Sequence, residues 1–154
     1  MAAEVGLVLI DTSAWIDAFR EKTDWVAPLI RRLLDEDRAV ICGPVLFEIR
    51  RGLRPAERKR VLPLFDALHR LPFEETDWEK AGDLDASLRK KGITLPSMDL
   101  LISHLCLKHK IAILTLDKHF KSIPGLRLNN EHLNKASEQV TKTHDKTLKK
   151  PDKK

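Results

Sequence analysis

Tyrosine is missing from this chain, cysteine and methionine occur twice each, and tryptophan three times in 154 residues. No apolar run approaches the ~20 residues a helix needs to cross a bilayer, which excludes a helical membrane span. Met1 to Glu4 carry no basic side chain, and the apolar run from Val5 to Ile10 is too short for a secretory signal. The expectation is a cytoplasmic protein that engages no membrane. Cys42 and Cys106 lie far apart inside apolar segments, which excludes a CxxC zinc or disulfide framework and reads as two buried, reduced thiols. With no tyrosine, and with Trp15, Trp25 and Trp78 at core or boundary positions of helical patterns, a single-strand-binding surface built on aromatic stacking is not expected.

What is present is enough for one folded unit. Hydrophobic residues make up 42 % of the chain, which suits a domain with a real core. The net charge of +5 is unevenly spread. Residues 135–154 hold 7 lysines and 3 acids, leaving 21 basic and 20 acidic residues for the rest. The division expected is a folded domain over 1–133 and a Lys-rich, disordered tail over 134–154. Any nucleic-acid footprint on the nearly neutral body must be local.

Apolar patterning gives the order of elements. Leu7–Ile10 and Ala39–Cys42 are continuous apolar runs of the buried parallel-strand type. Ser13–Arg20, Asp24–Glu36, Val45–Arg51 and Pro55–His69 read as helices. Leu71–Glu74 reads as a short strand. Thr76 and Glu79 have capping-box spacing and start a helix that Gly92 closes. Pro96–His109 follows as a helix, Ile111–Leu114 as a strand, Asp117–Lys121 as a helical turn and Leu126–Leu128 as a last short strand. This alternation predicts an α/β fold with a mainly parallel sheet and helices on both faces.

In such sheets, ligands gather at the carboxyl ends of the strands. Asp11 follows the first strand and Asp117 lies just past the strand Ile111–Leu114. Glu48 and Asp99 stand in apolar flanks, "VLFEI" and "SMDLLI". Taken singly, Asp11 and Asp117 read as helix caps, Glu48 as a solvated helix residue and Asp99 as a first-turn acid favoured by the helix dipole. Taken together, four half-buried carboxylates would repel one another unless a cation joined them. Hard oxygen ligands suit Mg²⁺ or Mn²⁺, and such sites hydrolyse phosphodiesters.

The segments "LIDTSAWID", "VLFEIRRGL", "SMDLLISHLC" and "ILTLDKHF" resemble, in order and separation, the four acidic blocks of PIN-domain ribonucleases, above all the VapC-type toxins of bacterial toxin–antitoxin pairs. The resemblance covers about residues 6–128. It implies a three-layer α/β/α sandwich, with Asp11, Glu48, Asp99 and Asp117 as catalytic and metal-binding acids. Ser13 and Thr115 would be the hydroxyls that orient them. It also implies Mg²⁺ or Mn²⁺ as cofactor, RNA cleavage that leaves a 5′-phosphate and a 3′-hydroxyl, a small antitoxin as partner, and a homodimer. Ser103, His104 and Cys106 depart from the smaller residues usual in the third block, with His104 read as a packing or surface residue.

Two other classes remain in view. An aspartate-nucleophile phosphatase wants a second acid two residues after the first, where Ser13 stands. A non-catalytic PIN-like RNA-binding module would be favoured by loss of one acid, and all four are present. Beside Glu48, residues 50–60 hold Arg50, Arg51, Arg54, Arg58, Lys59 and Arg60 against the single acid Glu57. Either they form a phosphate-binding rim suited to structured RNA, or they are a solvated helix face with local ion pairs.

Overall fold

The computed structural model describes residues 6–133. Strands β1 (Val8–Ile10), β2 (Ala39–Cys42), β3 (His69–Leu71) and β4 (Ala112–Leu114) form one sheet in the order β3-β2-β1-β4, every pairing parallel. Helices α1 (Thr12–Phe19) and α2 (Val26–Asp35) link β1 to β2, α3 (Gly43–Gly52) and α4 (Pro55–Asp66) link β2 to β3, and α5 (Glu75–Lys90) and α6 (Ser97–His109) link β3 to β4. A 3₁₀ turn, Lys118–Ser122, follows β4. The chain winds outward from β1 to β3 and then crosses back to β4 on the other side of β1. Right-handed crossovers in opposite directions place α1–α4 on one face and α5–α6 on the other, giving the α/β/α sandwich.

The three inner strands are legible because both faces are covered. β1 and β2 are buried throughout, and β4 nearly so. The aromatic cluster of Trp15, Phe19 and Phe65 locks α1 to α4, with Trp15 and Phe65 edge to face at 4.9 Å. Cys42 and Cys106 are free and buried, and burial pushes the Cys42 thiol up to about 12. Among the described residues no helix is long and apolar enough to cross a membrane. The expectation for residues 134–154 lies outside the described residues.

Four local expectations need correction. β3 is His69–Leu71, not Leu71–Glu74. It is an exposed edge strand, fixed by pairing Val40 with His69 and Cys42 with Leu71, so no apolar run marks it. Consequently α4 stops at Asp66. Helix α5 starts two residues early, capped at Glu74 rather than Thr76, and the Glu74 backbone N–H donates to Asp77 Oδ2 at 2.8 Å. Leu126–Leu128 forms no strand but a single parallel bridge, Leu128 to Ile113.

The α5 shift has a tertiary cause. Asp77 is fully buried, with His104 Nε2 of α6 at 2.8 Å and the Lys108 ammonium at 3.1 Å. His104 is thus a packing residue of the α5–α6 seam, and Phe73 stacks edge-on against it at 6.2 Å. Its side chain, then the Glu74 backbone N–H and Lys108, hold the Asp77 carboxyl well below the usual carboxylate range. A depressed folded-state pKa contributes stability above the unfolded value and loses it as pH falls. Asp77→Asn should therefore lower the melting temperature at pH 7, and its gap from wild type should close as pH falls below about 4. A gap that stays constant from pH 7 to pH 3 in thermal melts contradicts a charge-based seam.

Candidate metal centre

The register of the sheet builds this site. Ile10 pairs with Leu114, so the next residues on each strand, Asp11 and Thr115, emerge side by side, and the Asp11 N–H donates to Leu114 O at 2.9 Å. Asp11 is 4 % exposed. Its Oδ2 accepts from Ser13 Oγ at 2.7 Å, from Thr115 Oγ1 at 2.9 Å and weakly from the Ser13 N–H at 3.4 Å. Leu116 N–H donates to Ser13 Oγ and Asp117 N–H to Thr115 Oγ1, both at 3.0 Å. The two hydroxyls are thereby directed at Asp11, and Asp11 Oδ1 accepts no hydrogen bond among the described residues.

Glu48 reaches in from α3, where Thr12 Oγ1 donates to its Oε2 at 2.7 Å. Asp99 sits in the first turn of α6. Asp117 caps the 3₁₀ turn by accepting the His119 N–H at 2.9 Å. Burial first, then the charges of Asp11, Asp117 and Glu48, push the Asp99 carboxyl up to about 6. Asp11, Glu48 and Asp117 thus all act on Asp99, while among the described residues the ligand atoms that lie within 4.8 Å of one another are those of Asp99, Asp117 and His119. Among the described residues, none of the four forms an ion pair with a lysine or arginine. The nitrogen-bearing side chain near them is that of His119, whose Nδ1 lies 3.1 Å from Asp117 Oδ1 and 3.6 Å from Asp99 Oδ2.

This donor set fits a hard divalent cation. Among the described residues, donors steer one oxygen each of Asp11, Glu48 and Asp117 and leave the other without a donor, while ligand atoms of Asp99, Asp117 and His119 lie within 4.8 Å of one another. Thr12 and His119 were missed by the sequence reading. Thr12 stands in the same hydroxyl pair as Ser13, but its partner is 36 residues away, and no spacing announces the approach of His119 to Asp99. Ser13, where a phosphatase would carry its second acid, spends its hydroxyl on Asp11 itself. Clefts of about 850 and 410 Å³ lie elsewhere, at the amino ends of β1 and β4 and beside the end of α6, and contain none of the four carboxylates.

The basic run is partly engaged. Glu57, its one acid, pairs with Arg20 at 3.3 Å and caps α4 through the Arg54 N–H at 2.8 Å. Arg58 donates to the Arg50 carbonyl at 2.5 Å, and the Arg51 guanidinium lies 5.5 Å over the Phe47 ring. Arg50, Arg51 and Arg54 remain exposed. Trp78, expected in the core or at its boundary, is 57 % exposed and leans on Phe73 at 4.6 Å. Phe47 is a second exposed ring.

A carboxyl whose folded-state pKa is raised stabilises the fold below its unfolded value, and that contribution is lost as pH rises through the folded value. In chelator, Asp99→Asn should therefore melt higher than wild type at pH 8, by on the order of 2–3 kcal/mol. The gain should vanish as pH falls from 6 to 4. A gain independent of pH contradicts the buried, crowded Asp99 charge as its source.

The PIN domain family model matches residues 8–126, a span that takes in the sheet and all four acids. Over 122 residues the chain is 33 % identical to a VapC ribonuclease of Mycobacterium bovis and to ribonuclease VapC11 of Mycobacterium tuberculosis, covering 76 % of this chain and 91 % of each relative. DNA-bound VapBC from Salmonella typhimurium superposes with a TM-score of 0.68 at 22 % identity, over 81 % of this chain and 98 % of that one. FitAcB from Neisseria gonorrhoeae gives 0.65 at 22 % identity, over 82 % and 99 %. At these identities the structural likeness is one of fold. The family match across the whole sheet and the near full-length likeness to VapC proteins show that this chain belongs to the PIN-domain family.

Proposed function

We propose that this protein is a metal-dependent endoribonuclease and the toxin of a toxin–antitoxin pair. The observation that carries the reading is the placement of Asp11, Glu48, Asp99 and Asp117 at the carboxyl end of the sheet, with no lysine or arginine among the described residues in an ion pair with them. The identity to proteins named as VapC ribonucleases supports RNA as substrate. The name VapBC on the solved neighbours, two of them bound to DNA, supports a small antitoxin as partner. The family likeness adds a homodimer working in the cytoplasm.

In this reading the four acids hold Mg²⁺ or Mn²⁺. Such an ion, when bound, would lower the pKa of a water and offset charge that develops on the oxygens around the phosphorus. The chain's own residues do the rest. Ser13 and Thr115 fix Asp11 Oδ2 and so present Oδ1. Thr12 does the same for Glu48. Asp117 holds the turn that carries His119. Arg50, Arg51, Arg54 and Arg58 lie on the helix that carries Glu48 and at the start of the next, where guanidinium forks meet phosphate oxygens. Cleavage yields a 5′-phosphate and a 3′-hydroxyl.

Asp11→Asn tests the centre of this reading. Asparagine keeps the size and the capping ability of aspartate but removes one of four clustered charges. The metal-free variant should melt at or above wild type while RNA cleavage falls by about a hundredfold or more. A folded Asp11→Asn protein that cuts RNA at the wild-type rate sinks the reading.

The rim is tested by salt. Arg51→Ala and Arg54→Ala should each reduce the slope of log K for RNA against log salt by about 0.7 to 0.9, one phosphate contact each. Truncation at residue 134 is the companion measurement, since it removes a net charge of +4 without touching the described domain. If the truncation changes the slope and neither arginine variant does, the arginines are structural and the tail is the RNA contact.

A further inference from the structure

We propose that the His119 imidazole is a nitrogen ligand of this centre and tilts it toward Mn²⁺ over Mg²⁺. The inference rests on the metal reading above and concerns which ion the site selects. An all-carboxylate cluster offers only hard oxygens, which suit both ions. Imidazole nitrogen suits transition metals, while Mg²⁺ keeps to oxygen ligands and water.

The geometry is specific to this side chain. Two ligand atoms on one ion with bonds near 2.1 Å sit at most about 4.2 Å apart. The Nδ1–Asp117 and Nδ1–Asp99 distances, 3.1 and 3.6 Å, already meet that limit. The remaining separation in the trio is within 4.8 Å, so a small side-chain adjustment closes it. Asp11, 4 % exposed with Oδ1 lacking a donor, is a buried polar group in the same cluster that still wants a partner.

The imidazole is also held in place. Its own backbone N–H donates to Asp117 at 2.9 Å, its carbonyl accepts from Ser122 Oγ at 2.9 Å, and the neighbouring Phe120, 1 % exposed, anchors the turn in the core. The ring itself is more than half exposed, so it adjusts without disturbing packing. Of the other described histidines, His104 is taken by Asp77 and His69 faces Asp37. His132 stacks on Trp25, and His109 ends α6, at the other end of that helix from Asp99. None of these is in the trio of possible ligands.

The test measures Mn²⁺ and Mg²⁺ binding by calorimetry on the full chain, wild type and His119→Asn, and records the electron-spin-echo spectrum of bound Mn²⁺. His119→Asn should weaken Mn²⁺ by about tenfold or more, the scale on which even an outer partner of a metal site matters, and leave Mg²⁺ little changed. Nitrogen modulation on Mn²⁺ should be present in wild type and lost in the variant. Mn²⁺ bound without nitrogen modulation, or equal weakening of both ions, overturns the role of His119 and leaves the carboxylate site standing. If wild type binds neither ion at millimolar concentration, the metal reading fails and this inference fails with it.

Discussion

The parallel register of β1 against β4 is the constraint on which the site depends. It sets Ile10 beside Leu114, and the residues that follow then meet whatever they are. A slip of one residue would turn Asp11 to the opposite face. The core prevents that slip, because Val8, Leu9 and Ile10 are each at most 1 % exposed. Burial of apolar strand residues thus fixes the position of a charged group that by itself would resist burial. The same logic reaches Glu48 through β2, which pairs with the other side of β1 and runs directly into α3.

Gathering four acids there opposes folding, and the protein limits the cost in two ways. It supplies neutral donors, Thr12, Ser13 and Thr115, which satisfy carboxylate oxygens without cancelling their charge. Among the described residues it also keeps lysine and arginine out of ion pairs with the cluster, with Arg50 and Arg51 following Glu48 on the same helix. An arginine in contact would relieve the repulsion and remove the reason for a cation to bind. The raised Asp99 carboxyl reflects its burial first and then the repulsion that is left unrelieved. At the Asp77–His104–Lys108 seam the opposite choice is made: the buried acid has a cationic partner, its pKa falls, and it binds two helices together.

How legible each feature is in sequence follows from the range of the force that makes it. β1, β2 and β4 are covered on both faces, so they appear as unbroken apolar runs. β3 lies at the edge, and only its hydrogen bonds to β2 define it. The start of α5 was displaced because a local box at Thr76 and Glu79 competes with Asp77, whose commitment comes from His104, 27 residues on. Asp11, Glu48, Asp99 and Asp117 were readable because each follows or sits in an apolar segment at one sheet edge. Thr12 and His119 were not, since their partners are chosen by tertiary contact. Phe47 and Trp78 have helical spacing that cannot say which way the helix turns.

Capping and ligation, which read as competing roles for Asp11 and Asp117, are compatible within one side chain. Asp11 caps α1 through Oδ2, and Asp117 caps the 3₁₀ turn through Oδ1. A capping carboxylate is fixed by the backbone it caps, which is the rigidity a metal ligand requires. At Asp11 the second oxygen is then presented at a defined place without further ordering of the side chain. The cap also brings the positive end of the helix toward the carboxylate, which offsets part of the repulsion within the cluster before any ion arrives. A residue type favoured at caps for local reasons is therefore already most of a binding site when the sheet sets two such caps side by side.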